Sequence, residues 1–454
     1  MATKDGDFTG AFADEMLAMM ERVEVGDSSV SLKDILNRRS RAHPPELYIT
    51  IVPPAGAEVI AIPVNKDWVG DEFHTLKEDL MEMFKAGAFV SCPIAQVAHP
   101  ITSSNIGYGT YGVVHRATMA ISAEDAAAGK APAVVAVKKY RMSVRNAEGD
   151  SDALKEEELD TYLGMDIPLF HELANLKEAT ALFKLGSHPN IIRMHKLVWD
   201  TVTDTEVPRL YLVMEYAPGN TLGSKLANNA KFLSHEPSQI EAVCQLANAI
   251  SYMHSQGFMH RDLTPYNVLV GHHNILKVAD FGFCTDDPPE SGRARNILVQ
   301  NILGRAPEIV LRYRNYTSAI DVWSMGVIFY LIFMRRHLFA LSVRDDEHSL
   351  LRMMIMHFGR IDIDWLNLIR PACIPGAIDA FGRTIVAASE ELMHVHIMNQ
   401  RMGQPMQLET TIVTPTLSVS NNISLLFREM MQYNHTKRPT ARQVSNYLIT
   451  MFPK

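Results

Sequence analysis

The sequence predicts an α+β fold in two lobes, preceded by an N-terminal extension, and three observations lead there. After Ile101 the chain runs in short β-rich segments, and from about Pro218 long apolar stripes at helical spacing replace them. Hydrophobic residues make up 47% and charged residues 21% of 454, close to the soluble globular average. At roughly 150 residues per domain, that length suits about three compact units or one large two-lobed domain with additions. Residues 1–100 form the extension, 101–216 the β-rich small lobe and 217–452 the helical large lobe.

Within the extension, Phe12, Met16, Met19, Met20 and Val23 make a helical stripe between Phe8 and Val25. Leu47, Ile49 and Ile51 alternate with polar positions, Pro53 to Gly56 turns the chain, and Val59 to Val64 reads as a returning strand. Thr75 to Gly87 reads as a helix with Thr75 as N-cap, Glu78 three residues on, and Leu76, Leu80, Met83 and Phe84 on one side. None of these residues carries recognisable chemistry. Two insertions interrupt the small lobe. Thr118 to Pro132 is rich in small residues, and Met142 to Asp160 sets seven carboxylates against Arg145 and Lys155. Both read as solvated loops, the acidic one alternatively as a docking surface for a basic partner.

Composition removes several function classes. A formal charge of −8, from 43 basic against 51 acidic side chains, lacks the basic footprint that a phosphate backbone requires, so no nucleic acid partner is expected. Cys92, Cys244, Cys284 and Cys373 are scattered, without metal-ligand or disulfide spacing, which points to a reducing, intracellular location, cytoplasm and nucleus being indistinguishable. The longest apolar run, Val322 to Met334, is too short for a bilayer of about 30 Å, so no membrane span is expected. The first residues lack the basic and apolar regions of a signal peptide.

The chemistry begins at Ile106-Gly107-Tyr108-Gly109-Thr110-Tyr111-Gly112-Val113-Val114. A G-x-G-x-x-G spacing alone also fits a dinucleotide fold, but there the glycines open a helix. Here Val113 to Arg116 continue as a strand, so a hairpin over phosphates fits better, its glycines letting backbone N–H groups come close. Val135-Ala136-Val137-Lys138 is an apolar strand ending in a lysine. Phe170 to Leu185 reads as an amphipathic helix carrying Glu172 and Glu178, either of which could pair with Lys138 and aim it at phosphates.

His260-Arg261-Asp262-Leu263-Thr264-Pro265-Tyr266-Asn267 is the strongest signal. It follows a helix from Gln239 to Gln256 stopped by Gly257, and Asp280-Phe281-Gly282 ends a short strand, Ile275 to Ala279, a little further on. Asp262 supplies a carboxylate for an incoming hydroxyl, while Asn267 and Asp280 supply oxygen ligands suited to Mg²⁺.

With these motifs, residues 101–452 resemble a eukaryotic-type protein kinase. Ala306-Pro307-Glu308, Asp321 to Gly326 and Arg438-Pro439-Thr440 add to the resemblance, which implies the two-lobed kinase fold and a pairing of Glu308 with Arg438. It favours Glu178 over Glu172 as partner of Lys138. It implies that ATP lies against Ile106 to Val114, Ala136 and Lys138, that Met214 lines the adenine pocket, and that backbone groups of Glu215 and Ala217 bond the base. Pro265 resembles the serine/threonine branch, and Arg305 with the long stretch from Asp345 to Ser420 resembles the cyclin-dependent and mitogen-activated group. The implied activity is transfer of the ATP γ-phosphate to serine and threonine hydroxyls of protein substrates, with a regulatory protein as a further partner.

Two departures stand out. Thr264 replaces the usual lysine two residues after the catalytic aspartate, and Asn301 replaces the threonine that bonds that lysine and aspartate. The expectation is that Thr264 and Asn301 bond each other and keep Asp262 placed. A pseudokinase scaffold, with these as early losses, is the alternative, and small-molecule phosphotransfer a more remote one. Thr285 and Ser291 are the hydroxyl residues between Asp280 and Glu308, either of them a candidate phosphosite pairing with Arg261, the alternative being no activating phosphorylation. His394 and His396, two apart with no third ligand, read as surface or packing residues. Met353, Met354 and Met356 read as core packing.

Overall fold

In the computed structural model the described residues are 47–51, 60–64, 71–109, 112–140, 171–200, 209–286, 299–341, 346–401 and 421–453. The expected helix from Phe8 to Val25, the acidic insertion and Ser291 lie outside them. The chain divides into two units, Met1–Val97 with Arg141–Leu173 and Lys196–Tyr211, and Ala98–Tyr140 with Ala174–His195 and Leu212–Lys454.

In the first unit, β1 (Leu47–Ile51) and β2 (Ile60–Val64) pair antiparallel, Ile49 opposite Ile62, as their alternation predicts. Helix α1 spans Asp71–Lys85, starting a turn before the expected cap, so Thr75 is interior. The Thr-x-x-Glu pattern also fits one turn inside a helix. Leu76, Leu80 and Met83 are buried. Gly87, at φ 65, turns the chain into β3 (Phe89–Ser91), which lies parallel to β7 (Met194–Asp200) with Phe89 opposite Leu197. Ile94 N–H then donates to buried Asp200 Oδ2 at 2.8 Å. The extension thus adds a strand to the edge of β7.

In the second unit, β4 (Ala98–Gly109), β5 (Gly112–Met119), β6 (Val134–Tyr140) and β8 (Arg209–Glu215) lie in the order β8-β6-β5-β4. The insertion between β5 and β6 is mostly exposed and holds a short helix, α2 (Ala123–Ala127), with Lys130 paired to Asp125 at 3.4 Å. Helix α3 (His171–Leu185) buries Leu176, Ala179, Leu182 and Leu185.

After β8 the helices dominate. The Thr221 hydroxyl caps α4 (Leu222–Asn228) by accepting from Ser224 N–H. Helix α5 (Glu236–Ser255) starts three residues before the expected Gln239, because Pro237 fits its first turn. Its Val243, Leu246, Ala247, Ile250 and Met253 face the core. Short strands β9 (Phe258–Met259), β10 (Val268–Val270), β11 (Leu276–Val278) and β12 (Thr285–Asp286) follow, β11 being a residue shorter at each end than expected. His272 and His273 sit in the turn between β10 and β11.

Next come α6 (Pro307–Val310) and α7 (Ala319–Met334). Every residue of α7 from Ile320 to Phe333 is buried, which is why its sequence shows no polar face. No helix among the described residues is long and apolar enough to cross a membrane. Helices α8 (Glu347–Phe358), α9 (Ile363–Ile369), α10 (Ala377–Arg401), α11 (Asn421–Met430) and α12 (Ala441–Met451) complete the unit. His394 and His396 fall within α10. Met354 is fully buried.

Across the helical part, Arg438 donates two hydrogen bonds to Glu308, at 2.6 and 2.7 Å, with neither side chain exposed. The guanidinium also donates to Ala319, Gln432 and Tyr433 carbonyls and lies over the Trp323 ring. A buried ion pair has to satisfy its remaining donors in this way to offset desolvation.

Candidate active site

The glycine segment forms the expected hairpin: β4 and β5 pair antiparallel, Gly107 opposite Val114 and Gly109 opposite Gly112. Its glycines do different work. A Cβ at Gly112 would stand 2.4 Å from the Lys139 carbonyl oxygen, so that position is glycine because β6 passes close behind. Among the described residues, a Cβ at Gly107 would meet only Val114, at 3.8 Å, so none of them demands glycine there. Ile106 is exposed, Val113 is buried, Val114 is half-buried, and Thr110 and Tyr111 lie outside the described residues.

The β5–β6 register sets Val114 opposite Lys138 and Arg116 opposite Ala136, so Lys138 shares a sheet with the hairpin. Its ammonium donates to Glu178 Oε2 at 2.6 Å, and the Tyr140 hydroxyl donates to the same oxygen at 2.9 Å. Glu178, one of the two candidate carboxylates, thus meets the lysine. Asp280 Oδ1 lies 3.8 Å from the ammonium. Burial works against the Lys138 charge, but the charges of Glu178 and Asp280 outweigh it and hold the ammonium above the ordinary lysine value.

The catalytic-loop segment is fixed from below by Asp321, in the first turn of α7. Its two carboxylate oxygens accept from the backbone N–H groups of His260 and Arg261 at 2.8 and 2.9 Å, and His254 Nε2 bonds it at 2.9 Å. This grip holds Arg261 in the left-handed region at φ 64, where a non-glycine residue needs outside support. His260 is fully buried, its Nε2 bonding the Ala279 carbonyl and its Nδ1 accepting from Asp262 N–H. Those two bonds together require the neutral Nε2–H tautomer, and burial lowers its pKa in the same direction.

Asp262 follows, half-buried. Asn301 N–H donates to its Oδ1 at 2.9 Å and Asn267 Nδ2 to its Oδ2 at 2.9 Å. Its carboxyl is pushed up to about 7, first by burial and then by the charge of Asp280, against the lowering effect of those two donors and of Arg305. Asp280 itself sits at φ 60 between β11 and the buried Phe281 ring, with Oδ1 buried and bonded to no donor among the described residues. Asn267 spends its amide nitrogen on Asp262, which turns its oxygen away from that residue.

Met214 is buried near the end of β8, and Glu215 and Ala217 are half-buried. Glu215 N–H donates to the Arg193 carbonyl, and its carboxylate takes Lys277 at 2.8 Å. The expected bond between Thr264 and Asn301 is not made. The Asn301 side chain caps the turn Ile302–Gly304 by accepting from Leu303 N–H, and Thr264 Oγ1 accepts from Tyr266 and Asn267 N–H. Both are local turn-forming bonds, which short polar side chains make more readily than distant ones. The backbone of Asn301, not its side chain, holds Asp262. Arg261 donates to the Phe283 carbonyl and the Tyr316 hydroxyl, and Thr285 pairs with Met259 in β12. Tyr140 and the grip of Asp321 had no readable signal beyond the motif that contains Asp321.

A glycine hairpin, an ion-paired lysine and an aspartate loop carried on a helical unit define the kinase fold, β-rich small lobe and helical large lobe. The chain belongs to the protein kinase domain family, which matches residues 101–448. Curated relatives include serine/threonine-protein kinase ICK of Rattus norvegicus, 27% identical over 290 residues that cover 61% of this chain and 38% of that protein. Aurora/IPL1-related protein kinase 2 of Caenorhabditis elegans is 33% identical over 144 residues, 32% of this chain and 43% of that one. Cyclin-dependent kinase 11.2 of Caenorhabditis elegans is 29% identical over 261 residues, 55% and 33% respectively. The chain spans about a third to a half of the length of these relatives. Among solved structures, the CAK complex from Chaetomium thermophilum bound to ATP-gamma-S has a similar fold, with a TM-score of 0.52 and 19% identity over 83% of this chain and 95% of that one.

Proposed function

We propose that this chain is an ATP-dependent serine/threonine protein kinase. The observation that carries the reading is the convergence of a buried lysine–glutamate pair, an aspartate held by two donors, and a second, unbonded aspartate oxygen 3.8 Å from the lysine. Pro265 in the catalytic loop and relatives named as serine/threonine kinases support the choice of hydroxyl acceptor. Retention of the whole set speaks against a scaffold without activity.

Asp262 orients the attacking hydroxyl and accepts its proton, one oxygen fixed by Asn301 and the other by Asn267. Lys138, held by Glu178, grips the α- and β-phosphates of ATP, and Gly107 leaves its backbone open to them. Met214 lines the adenine site and the Glu215 carbonyl bonds the base, its N–H being committed to Arg193. The Asn267 oxygen and the Asp280 carboxylate are hard oxygen donors, and the buried, unbonded Asp280 Oδ1 fits a cation, so these two residues would hold Mg²⁺. Held there, Mg²⁺ would supply charge neutralisation at the phosphates. Positioning and charge placement supply most of the acceleration of such a transfer.

Protein substrates and a regulatory protein partner follow from the same reading, and the scattered spacing of the four cysteines supports a reducing intracellular location. Purified chain incubated with radiolabelled ATP and a peptide array tests it. Incorporation into serine or threonine peptides that Asp262→Asn abolishes is the expected result; no incorporation, or incorporation that survives the substitution, refutes the reading.

A further inference from the structure

Immediately before Asn301, whose N–H fixes Asp262, stands a buried glutamine at φ 65, a backbone conformation that glycine adopts at lower cost. Every polar group of Gln300 is engaged. Its N–H donates to the Arg261 carbonyl at 2.9 Å, and its carbonyl accepts from Arg305 Nε and Nη2 at 3.2 and 2.8 Å. Its side-chain Nε2 donates to the Ile320 carbonyl at 3.1 Å and to Ser324 Oγ at 2.8 Å, both on α7. Its Oε1 accepts from Ala306 N–H at 2.9 Å, just before α6. Ser324 Oγ in turn donates to the Gly304 carbonyl at 2.9 Å, closing the loop around the turn that Asn301 begins.

We propose that Gln300 is a positioning residue for Asp262, and this rests on the reading of Asp262 as the base. Its side-chain amide is anchored on the fully buried helix α7 at one end and on Ala306 at the other. The peptide plane between residues 300 and 301 is thereby held so that Asn301 N–H meets Asp262 Oδ1. A backbone N–H does not depend on residue type, so the position of the donor is set by whatever orients its peptide plane. Here that is the glutamine, and the side chains of Thr264 and Asn301 are free to build local turns instead. The same α7 that grips the N–H groups of His260 and Arg261 through Asp321 therefore also grips the opposite side of Asp262 through Gln300.

The test uses steady-state kinetics of the full chain with ATP and an acceptor peptide. Gln300→Met keeps length and removes all three side-chain hydrogen bonds. It should lower kcat about thirtyfold, inside the roughly hundredfold range for a misplaced catalytic group, with KM for ATP and peptide within about twofold. Gln245→Met is the matched control, because Gln245 is a helix glutamine whose Oε1 accepts from Asn190 Nδ2 and Leu276 N–H. It should lower the melting temperature comparably and leave kcat within about twofold. A Gln300→Met enzyme with wild-type kcat, or a control that loses as much kcat, overturns the proposal while wild-type transfer and Asp262→Asn inactivity keep the base assignment intact. An inactive wild type, or an active Asp262→Asn, removes that assignment and the proposal together. Should Gln300→Met not fold, Ser324→Ala removes the acceptor of one Gln300 amide bond together with the Ser324 bond to the Gly304 carbonyl and should cost kcat about threefold to tenfold; an unchanged kcat there overturns the proposal.

Discussion

Asp321 shows how much one carboxylate decides in this molecule. Burial raises its pKa, yet the hydrogen bond and charge of His254, with His260, pull it below the ordinary 3.8. A carboxylate depressed in the folded state contributes stability that is complete above its unfolded pKa and is lost as pH falls through the folded value. The stability difference between wild type and Asp321→Asn should therefore shrink as pH falls below about 4, as read by denaturant unfolding at each pH. A difference that does not shrink would mean that the pair contributes through shape alone. The residue was legible as part of an Asp-Val-Trp-Ser-Met-Gly run; its role was not, because nothing local shows that two backbone N–H groups sixty residues away will point at it.

The hairpin of β4 and β5 separates packing glycine from functional glycine. Gly107→Ala has room beside Val114, so the melting temperature should hold while KM for ATP rises about tenfold, as one carbon now stands where a phosphate approaches. Gly112→Ala drives a carbon into the Lys139 carbonyl and should destabilise the chain by about 1–3 kcal/mol, measured by chemical unfolding. Strand alternation and glycine spacing made this element readable in advance. The contribution of α1 and β3 was not readable, because a parallel strand gains its partner from distant sequence: β3 pairs with β7 more than a hundred residues on. A chain beginning at residue 98 would uncover Leu197, Val198 and Trp199, all buried, and should aggregate on expression, whereas one beginning at residue 70 should stay soluble in gel filtration.

At the scale of the molecule, the Glu308–Arg438 pair ties α6 to the segment before α12, both side chains fully buried. Glu308→Gln leaves a guanidinium uncompensated and should cost about 3–5 kcal/mol in unfolding free energy; a cost below 1 kcal/mol would mean that the Trp323 face and the three carbonyls suffice for the arginine. The motifs that announced the site are chains of a few residues with fixed internal offsets, and each fell on the element expected for it. What escaped reading was the support behind them, Tyr140, Gln300 and the carboxylate of Asp321, since those bonds join segments with no common spacing.

Helix α7 carries a last consequence. It is buried from Ile320 to Phe333, and its first turns hold the loop that bears Asp262 through Asp321 and through Gln300, so that loop is tied directly to the interior. Warming should then extinguish catalysis and melt the interior as a single event, and a preparation that has grown sluggish with heat is one in which some molecules have come apart entirely while the survivors work at full speed.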